Sequence, residues 1–246
     1  MTNLEDAVAK QLAYYRDTAW DYDVHLADEE HNVALKIIGA YVSEIGAASV
    51  LDTGCGTGRG VKYLVNRFPA MRVHGNDPSP DLLQVARDRH GLSEHILTCC
   101  SSYNLPFADG EFDVVIELGM LHHVEYPNRV VSEMLRVARR AIFISDSNRF
   151  GQGSVSKRLI KLGLHSVGLW PIASRLQHGG KKYYSSKGDG IAFSYSAYDS
   201  WPVLAAVCKE TFVIPTTRSK WAPWCPLLFA RHVLVAGIKQ GLGVRD

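Results

Sequence analysis

The chain has 246 residues, is 46% hydrophobic and carries a formal net charge of +2. That is enough apolar material for one large α/β domain, or one domain with an inserted cap. No charge-free apolar stretch approaches the roughly 20 residues that span a bilayer, and the opening MTNLEDAVAK lacks the basic-then-apolar pattern of a secretory signal, so a cytoplasmic location is expected. Its five cysteines, Cys55, Cys99, Cys100, Cys208 and Cys225, form no C-x-x-C pair and are odd in number. They indicate neither a disulfide framework nor a zinc site and are expected as reduced, buried thiols.

Residues 4–16 and 31–45 place apolar side chains at helical spacing, as in Leu35, Ile38, Val42 and Ile45, and predict two leading helices. From Ser49 onward apolar strands alternate with amphipathic helices: strand 49–53, helix 58–67, strand 71–76, helix 80–89, strand 95–99, strand 112–117, helix 127–138 and strand 140–145. This alternation implies right-handed crossovers and a parallel sheet covered on both faces. After Asp146 it stops. Residues 147–195 hold a basic amphipathic segment, SVSKRLIKLGLHSVGLW, and a polar glycine-rich stretch, HGGKKYYSSKGDG, which read as an insertion. A helix at about 199–210 follows, with Asp199 as its N-cap and Pro202 in its first turn. Two final strands, FVIPTT and RHVLVAGIK, are joined by a short loop and predict an antiparallel ending. The span 1–246 is therefore read as a single domain: leading helices 1–46, a core 47–146, a cap insertion 147–195 and the end of the core sheet 196–246.

The first strand runs into Asp52-Thr53-Gly54-Cys55-Gly56-Thr57-Gly58. Glycine lets a ligand approach bare backbone and tolerates positive φ. A dinucleotide fingerprint would need a third glycine where Arg59 or Val61 stands, whichever glycine starts the count. Asp77, at the end of the second strand, is placed to bind two ribose hydroxyls. The string VLDTGCGTG, with an acid two residues before the first glycine, resembles motif I of the class I S-adenosylmethionine-dependent methyltransferases, particularly the small-molecule and quinone-biosynthesis type. The likeness covers residues 47–146.

This resemblance implies a Rossmann-like α/β fold, a seven-stranded, mostly parallel sheet with an antiparallel last strand, and S-adenosyl-L-methionine as cofactor. Carried over by position, Gly54 and Gly56 would face the methionine portion, Asp52 would fix the loop, Asp77 would hold the ribose and Pro78 would pack on adenine. Where the family has D-A-x-x-L-P-F, this chain reads Ser101-Ser102-Tyr103-Asn104-Leu105-Pro106-Phe107. The adenine contact of that Asp thus falls to the Ser101 hydroxyl or a backbone amide beside Ser102. Glu117, ending the fourth strand, is also assigned to the cofactor side. Tyr14-Tyr15 and Trp20-Asp21-Tyr22-Asp23 resemble the Y-Y-D…A-x-x-Y-D opening of related enzymes, which implies that Tyr15 and Trp20 close over the cofactor; simple packing is the alternative.

The fourth strand is followed by GMLHHV and the fifth ends in IFISD, so His122 or His123 would meet Asp146 at neighbouring strand ends. An imidazole oriented by a carboxylate suits a base that deprotonates a hydroxyl acceptor. The same L-H-H motif occurs in relatives that methylate carbon or nitrogen, where it shapes the pocket. Glu117, Asp146 and Asn148 could be weighed as Mg²⁺ ligands, but Ser147 interrupts the adjacent Asp-Asn of metal-dependent relatives, and no metal is expected.

Between Ser147 and Lys220 eleven Lys and Arg face three acids, so this segment carries +8 and the remainder −6. The cap and tail also hold Trp170, Tyr183, Tyr184, Phe193, Tyr195, Tyr198, Trp201, Trp221 and Trp224, as expected of a pocket for a moderately hydrophobic small molecule. The partner is expected to be such an acceptor, anionic or lipid-linked, methylated on oxygen as in a sugar-bearing or secondary metabolite. Carbon methylation of a quinone-like or lipid-linked acceptor, RNA methylation and a cofactor-binding module without catalysis stand as alternatives. Nucleic acid is not expected, since the overall charge is near neutral. For the basic segment itself, a plain lid packed on the sheet is preferred to a helix resting on a membrane. Oligomeric state and acceptor identity do not follow from the sequence.

Overall fold

The strand-helix alternation produces, in a computed structural model that describes residues 3–25, 29–186, 188 and 190–239, a central sheet with helices on both faces. Helices α1 (Asn3–Thr18), α2 (Tyr22–His25) and α3 (Glu29–Glu44) precede strand β1 (Ser49–Thr53). Then come α4 (Arg59–Arg67), β2 (Arg72–Asp77), α5 (Pro80–Asp88), β3 (Leu97–Cys99), β4 (Phe112–Leu118), α6 (Pro127–Val137) and β5 (Ala138–Ser147). Helices α7 (Val155–Ser166) and α8 (Trp170–Gln177) and strands β6 (Tyr183–Ser186) and β7 (Gly190–Phe193) form the insertion. The chain closes with α9 (Trp201–Val207), β8 (Glu210–Pro215), α10 (Pro226–Phe229) and β9 (His232–Ile238). Lys187 and Asp189, counted in the basic segment, and residues 1, 2 and 240–246 of the single-domain span lie outside the described residues.

Among the described residues the main sheet has the order β3-β2-β1-β4-β5-β9-β8. Strands β1 to β5 pair in parallel, and β9 runs antiparallel to both β5 and β8. Every residue of β1 is buried, as expected of a central strand covered twice. One face packs under α6 and α9 around Leu51, Val115, Ile142 and Val235; the other packs under α3 and α4 around Val50, Val114, Phe143 and Leu234. The strand order reverses between β1 and β4, so the crevice beyond their carboxyl ends is where an open α/β sheet takes its ligand.

Helix α5 starts where the sequence provides a cap and a proline: the Ser79 hydroxyl accepts from Leu82 N (3.3 Å), with Pro80 at the first position. Three local expectations need correction. Asp199 does not cap α9; it lies in a 3-10 turn (Ala197–Ser200), where its carboxylate accepts from Ser196 N (3.0 Å) and pairs with Arg149. The polar stretch of the cap contains the antiparallel hairpin β6–β7, whose short glycine-flanked strands carry no clear alternation. The thiols are not fully buried: Cys99 is exposed, because it ends β3 at the sheet edge, and the other four are half-buried.

Asn148 ties the end of β5 to the later chain. Its Nδ2 donates to the carbonyls of Leu227 and Ala230 (2.8 Å each), and its Oδ1 accepts from Phe150 N (3.0 Å) and Ser196 Oγ (3.2 Å). The side chain considered for a metal thus has its oxygen committed to the fold. Truncation would strand several buried polar groups, so Asn148→Ala is expected to lose about 3 kcal/mol in urea unfolding; a loss below about 1 kcal/mol would contradict this role.

Candidate active site

The loop after β1 carries Gly54, Gly56 and Gly58 at φ of +69°, +54° and +80°, values L side chains rarely adopt. At Gly54 a Cβ would also lie 2.5 Å from Met120 Cγ, whereas at Gly56 the nearest heavy atom is 4.0 Å away. Gly56 therefore presents bare backbone to open space. Its N–H donates to Asp77 Oδ2 (2.9 Å), while Asp77 Oδ1 accepts from Ser79 N (2.8 Å). One carboxylate at the end of β2 thus holds the glycine loop and the start of α5 together.

Loop, strand ends and leading helices enclose a cavity of about 200 Å³. Asp52, Gly54, Gly56, Asp77, His122, His123 and Tyr15 all line it. Burial, then the neighbouring Asp77 charge, pushes Asp52 up to about 8, with Arg59 partly opposing, and burial pushes Asp77 up to about 6. Among the described residues neither Asp52 oxygen has a hydrogen-bond partner of bonding geometry. Two cavity-lining carboxyls poor in countercharge fit a ligand that brings an ammonium group and vicinal hydroxyls, and the bare Gly56 backbone fits its close approach.

Opposite the loop, His122 and His123 follow β4 in a 3-10 turn, with ring centroids 4.0 Å apart. His122 Nδ1 lies 2.8 Å from Asp146 Oδ1, and His122 N donates to Asp146 Oδ2 (3.2 Å). His123 Nδ1 lies 2.6 Å from the Ile191 carbonyl of β7. A carboxylate and a carbonyl can only accept, so both rings carry their proton on Nδ1 and Nε2 is the basic nitrogen. Although Asp146 is fully buried, the adjacent His122 imidazole, with the His232 ring and the Ser147 N–H, holds it down at about 2. Glu117 sits beside this pair. Its carboxyl accepts from Met120 N and Leu121 N, shaping the turn that bears the histidines, and burial next to Asp146 raises it well above the usual range.

The remaining assigned residues lie elsewhere. Trp20 is half exposed, under the Arg89 guanidinium (5.8 Å), because α1 turns its Tyr15 face inward instead. Pro78 and Ser101 are exposed; the Ser101 hydroxyl accepts from Tyr103 N (3.3 Å) in a local turn. Ser102 is buried as a bridge, accepting from Thr53 Oγ1 (3.1 Å) and Asn76 Nδ2 (3.2 Å). With Glu117 and Asp146, these residues do not form the cavity wall. Nor do the cap aromatics. Trp170 and Phe193 line a separate cavity of about 390 Å³, Tyr195 is buried against Ser200, and Trp221 and Trp224 face solvent.

Sequence reasoning missed His31 and Asn32 of α3, which line the cavity opposite α1. His31 Nδ1 lies 3.1 Å from Ser145 Oγ, and its ring meets His232 edge to face at 4.5 Å. No local pattern marks it, since its partners lie more than a hundred residues away. Asp23 was quoted only as part of a string, yet it accepts from Thr57 Oγ1 (2.7 Å) and faces Arg59 Nε (3.2 Å) and His90 Nε2 (3.3 Å), pinning the leading segment over the loop.

Residues 51–143 match the family model described as a methyltransferase domain. Over this span the core is similar to the class I S-adenosylmethionine-dependent methyltransferases. Among curated relatives, a phthiotriol/phenolphthiotriol dimycocerosates methyltransferase of Mycobacterium tuberculosis is 27% identical over 55% of this chain and 51% of its own length. A malonyl-[acyl-carrier protein] O-methyltransferase of Geobacter sulfurreducens is 28% identical over 63% of this chain and 58% of its own. The chain thus spans about half the length of these relatives. Among solved structures, the 1,6-didemethyltoxoflavin-N1-methyltransferase of Burkholderia thailandensis, with bound S-adenosylhomocysteine, shares the fold at a TM-score of 0.61 and 17% identity, covering 98% of this chain and 92% of that one.

A raised carboxyl carries a definite sign in stability. Asp52 holds its proton in the folded state up to about pH 8, but only to its ordinary value when unfolded. The native state therefore binds the extra proton between roughly pH 4 and 8, and stability from this group falls as pH rises through that window. Asp77 adds the same sign up to about pH 6. Asp52→Asn removes the larger part of the slope, so without ligand the variant is expected to gain stability over the native chain on going from about pH 5 to about pH 8 in urea unfolding. A difference between the two that does not change with pH would contradict the placement of Asp52.

Proposed function

We propose that this chain transfers the methyl group of S-adenosyl-L-methionine to an oxygen of a small organic acceptor, with His122 as the base, Asp146 orienting it and His123 beside it. The observation carrying this reading is the His122–Asp146 pair: a cavity-lining imidazole held through Nδ1 by a fully buried carboxylate, facing the glycine loop. When bound, the cofactor would supply an activated methyl on a sulfonium. Asp52 and Gly56 would hold its amino-acid end and Asp77 its ribose. His122 Nε2 would take the proton of the acceptor hydroxyl as that oxygen is methylated. Asp146 stabilises the imidazolium so formed, and its depressed pKa keeps it ionised while it does so. His123, in ring contact with His122, is anchored to Ile191 of the cap hairpin. That the Geobacter relative is by name an O-methyltransferase supports oxygen as the acceptor atom.

The test is methyl transfer from labelled S-adenosylmethionine into fractions of a metabolite extract. The native chain is expected to label a small molecule. His122→Ala is expected to lower kcat by about 100-fold or more while cofactor affinity, read by calorimetry, changes little. Near-normal turnover in His122→Ala would remove the base from the mechanism, and absence of label in every fraction would remove the activity.

A further inference from the structure

Helix α7 leaves an apolar stripe outside. Two of its three Lys and Arg turn toward the protein beside the half-buried Leu162 and Leu164: Arg158 Nη1 donates to the Leu228 carbonyl (2.9 Å) and stacks over Phe229, while Lys161 Nζ donates to the carbonyls of Arg149 (2.9 Å) and Gln152 (3.1 Å). At 3.6 residues per turn the opposite face carries Val155, Leu159, Ile160, Gly163 and, just beyond the last turn, Val167. That face meets solvent: α7 buries none of its residues, Ile160 is 61% exposed and Val167 67%, and a Cβ on Gly163 would touch nothing within 4 Å. The expectation of a plain lid packed on the sheet is thereby corrected. Helix α8 repeats the pattern. Trp170 and Ser174 point inward, while Ile172 and Leu176, one turn apart, are 59% and 77% exposed. Two tryptophans accompany these helices. Trp221 lies against Phe229 (6.5 Å), the ring under Arg158, and Trp224 is 84% exposed.

We infer that this face of the cap docks on the surface of an anionic lipid bilayer, with the apolar residues of α7 and α8 and the two tryptophans in the headgroup boundary. Scattered exposed apolar residues are ordinary, but two adjacent helices that leave contiguous apolar positions outside form a patch that suits an apolar environment. Charge selects the occupant. From Ser147 to Ser186 the sequence has seven Lys and Arg and no Asp or Glu, and Lys157, Arg175 and Lys181 are exposed. A second copy meeting this face through two-fold symmetry would bring like charges together, whereas anionic headgroups neutralise them. Tryptophan, with an apolar body and a polar N–H, favours that interface. No described helix is long and apolar enough to cross a membrane, so the mode is docking on the surface.

The full chain should float with vesicles of phosphatidylcholine and phosphatidylglycerol in equal parts, bind less to phosphatidylcholine alone, and show a blue shift of tryptophan emission on binding. The double variant Leu159→Ser, Ile160→Ser and the single Trp224→Ala should each weaken partitioning by about tenfold or more. Thermal unfolding checks that both remain folded, which their exposure makes the expected result. No flotation of the native chain, or flotation that neither variant weakens, would overturn the inference. So would a vesicle-free dimer in sedimentation that the same substitutions dissociate, because the occupant would then be a second copy. Cofactor binding enters none of these readouts, so the result is independent of the proposed catalysis.

Discussion

The carboxylate of Asp77 is the constraint on which the site depends. By accepting from Gly56 N and Ser79 N it locks a left-handed glycine loop to the end of β2 and the start of α5. Without that brace the loop after β1 would be a free, glycine-rich segment with much conformational entropy to lose on binding. With it, bare backbone and two acids face one crevice before any ligand arrives. The cost is electrostatic, since Asp52 and Asp77 are both driven upward by burial and Asp52 further by its neighbour. A cationic, hydroxyl-bearing ligand would relieve both.

The sheet order explains why the proposed base stands opposite this cradle. Strand β1 delivers the loop, and β4 and β5 lie next in order on the other side of the reversal, so their ends deliver the histidine turn and Asp146. Glu117 supports the arrangement, holding the turn through Met120 N and Leu121 N while burial and the neighbouring Asp146 raise its own pKa. Helix α1 and hairpin β6–β7 are tied to the histidine turn: Gln11 Oε1 accepts from Ile191 N (2.6 Å), and the Ile191 carbonyl in turn holds His123. Changes in the leading helix can therefore reach His123, the neighbour of His122, through two hydrogen bonds.

Elements with strong periodicity and local punctuation were legible in the sequence. The strands from Ser49 to Ser147 differ from the prediction by two residues or fewer at each end, because buried parallel strands read as continuous apolar runs. The glycine loop, Asp77 and the histidine pair were legible because their spacing follows from strand ends. What failed depends on long-range packing. His31 reaches the cavity only because α3 lies across β5, and Trp20 points away because Tyr15 takes the inner face of α1. The cap was misread for a related reason: a hydrophobic pattern shows that a helix is two-faced but not which face turns inward. In α7 Arg158 and Lys161 turn inward with Leu162 and Leu164, and Val155, Leu159 and Ile160 stay outside.

Affinity for the demethylated cofactor product tests the central claim most directly. Calorimetric titration of the purified chain with S-adenosylhomocysteine should show one-to-one binding that Asp77→Ala weakens by about 100-fold, since the substitution removes both the proposed ribose ligand and the loop brace. Full affinity in Asp77→Ala, or no affinity in the native chain, would contradict the account.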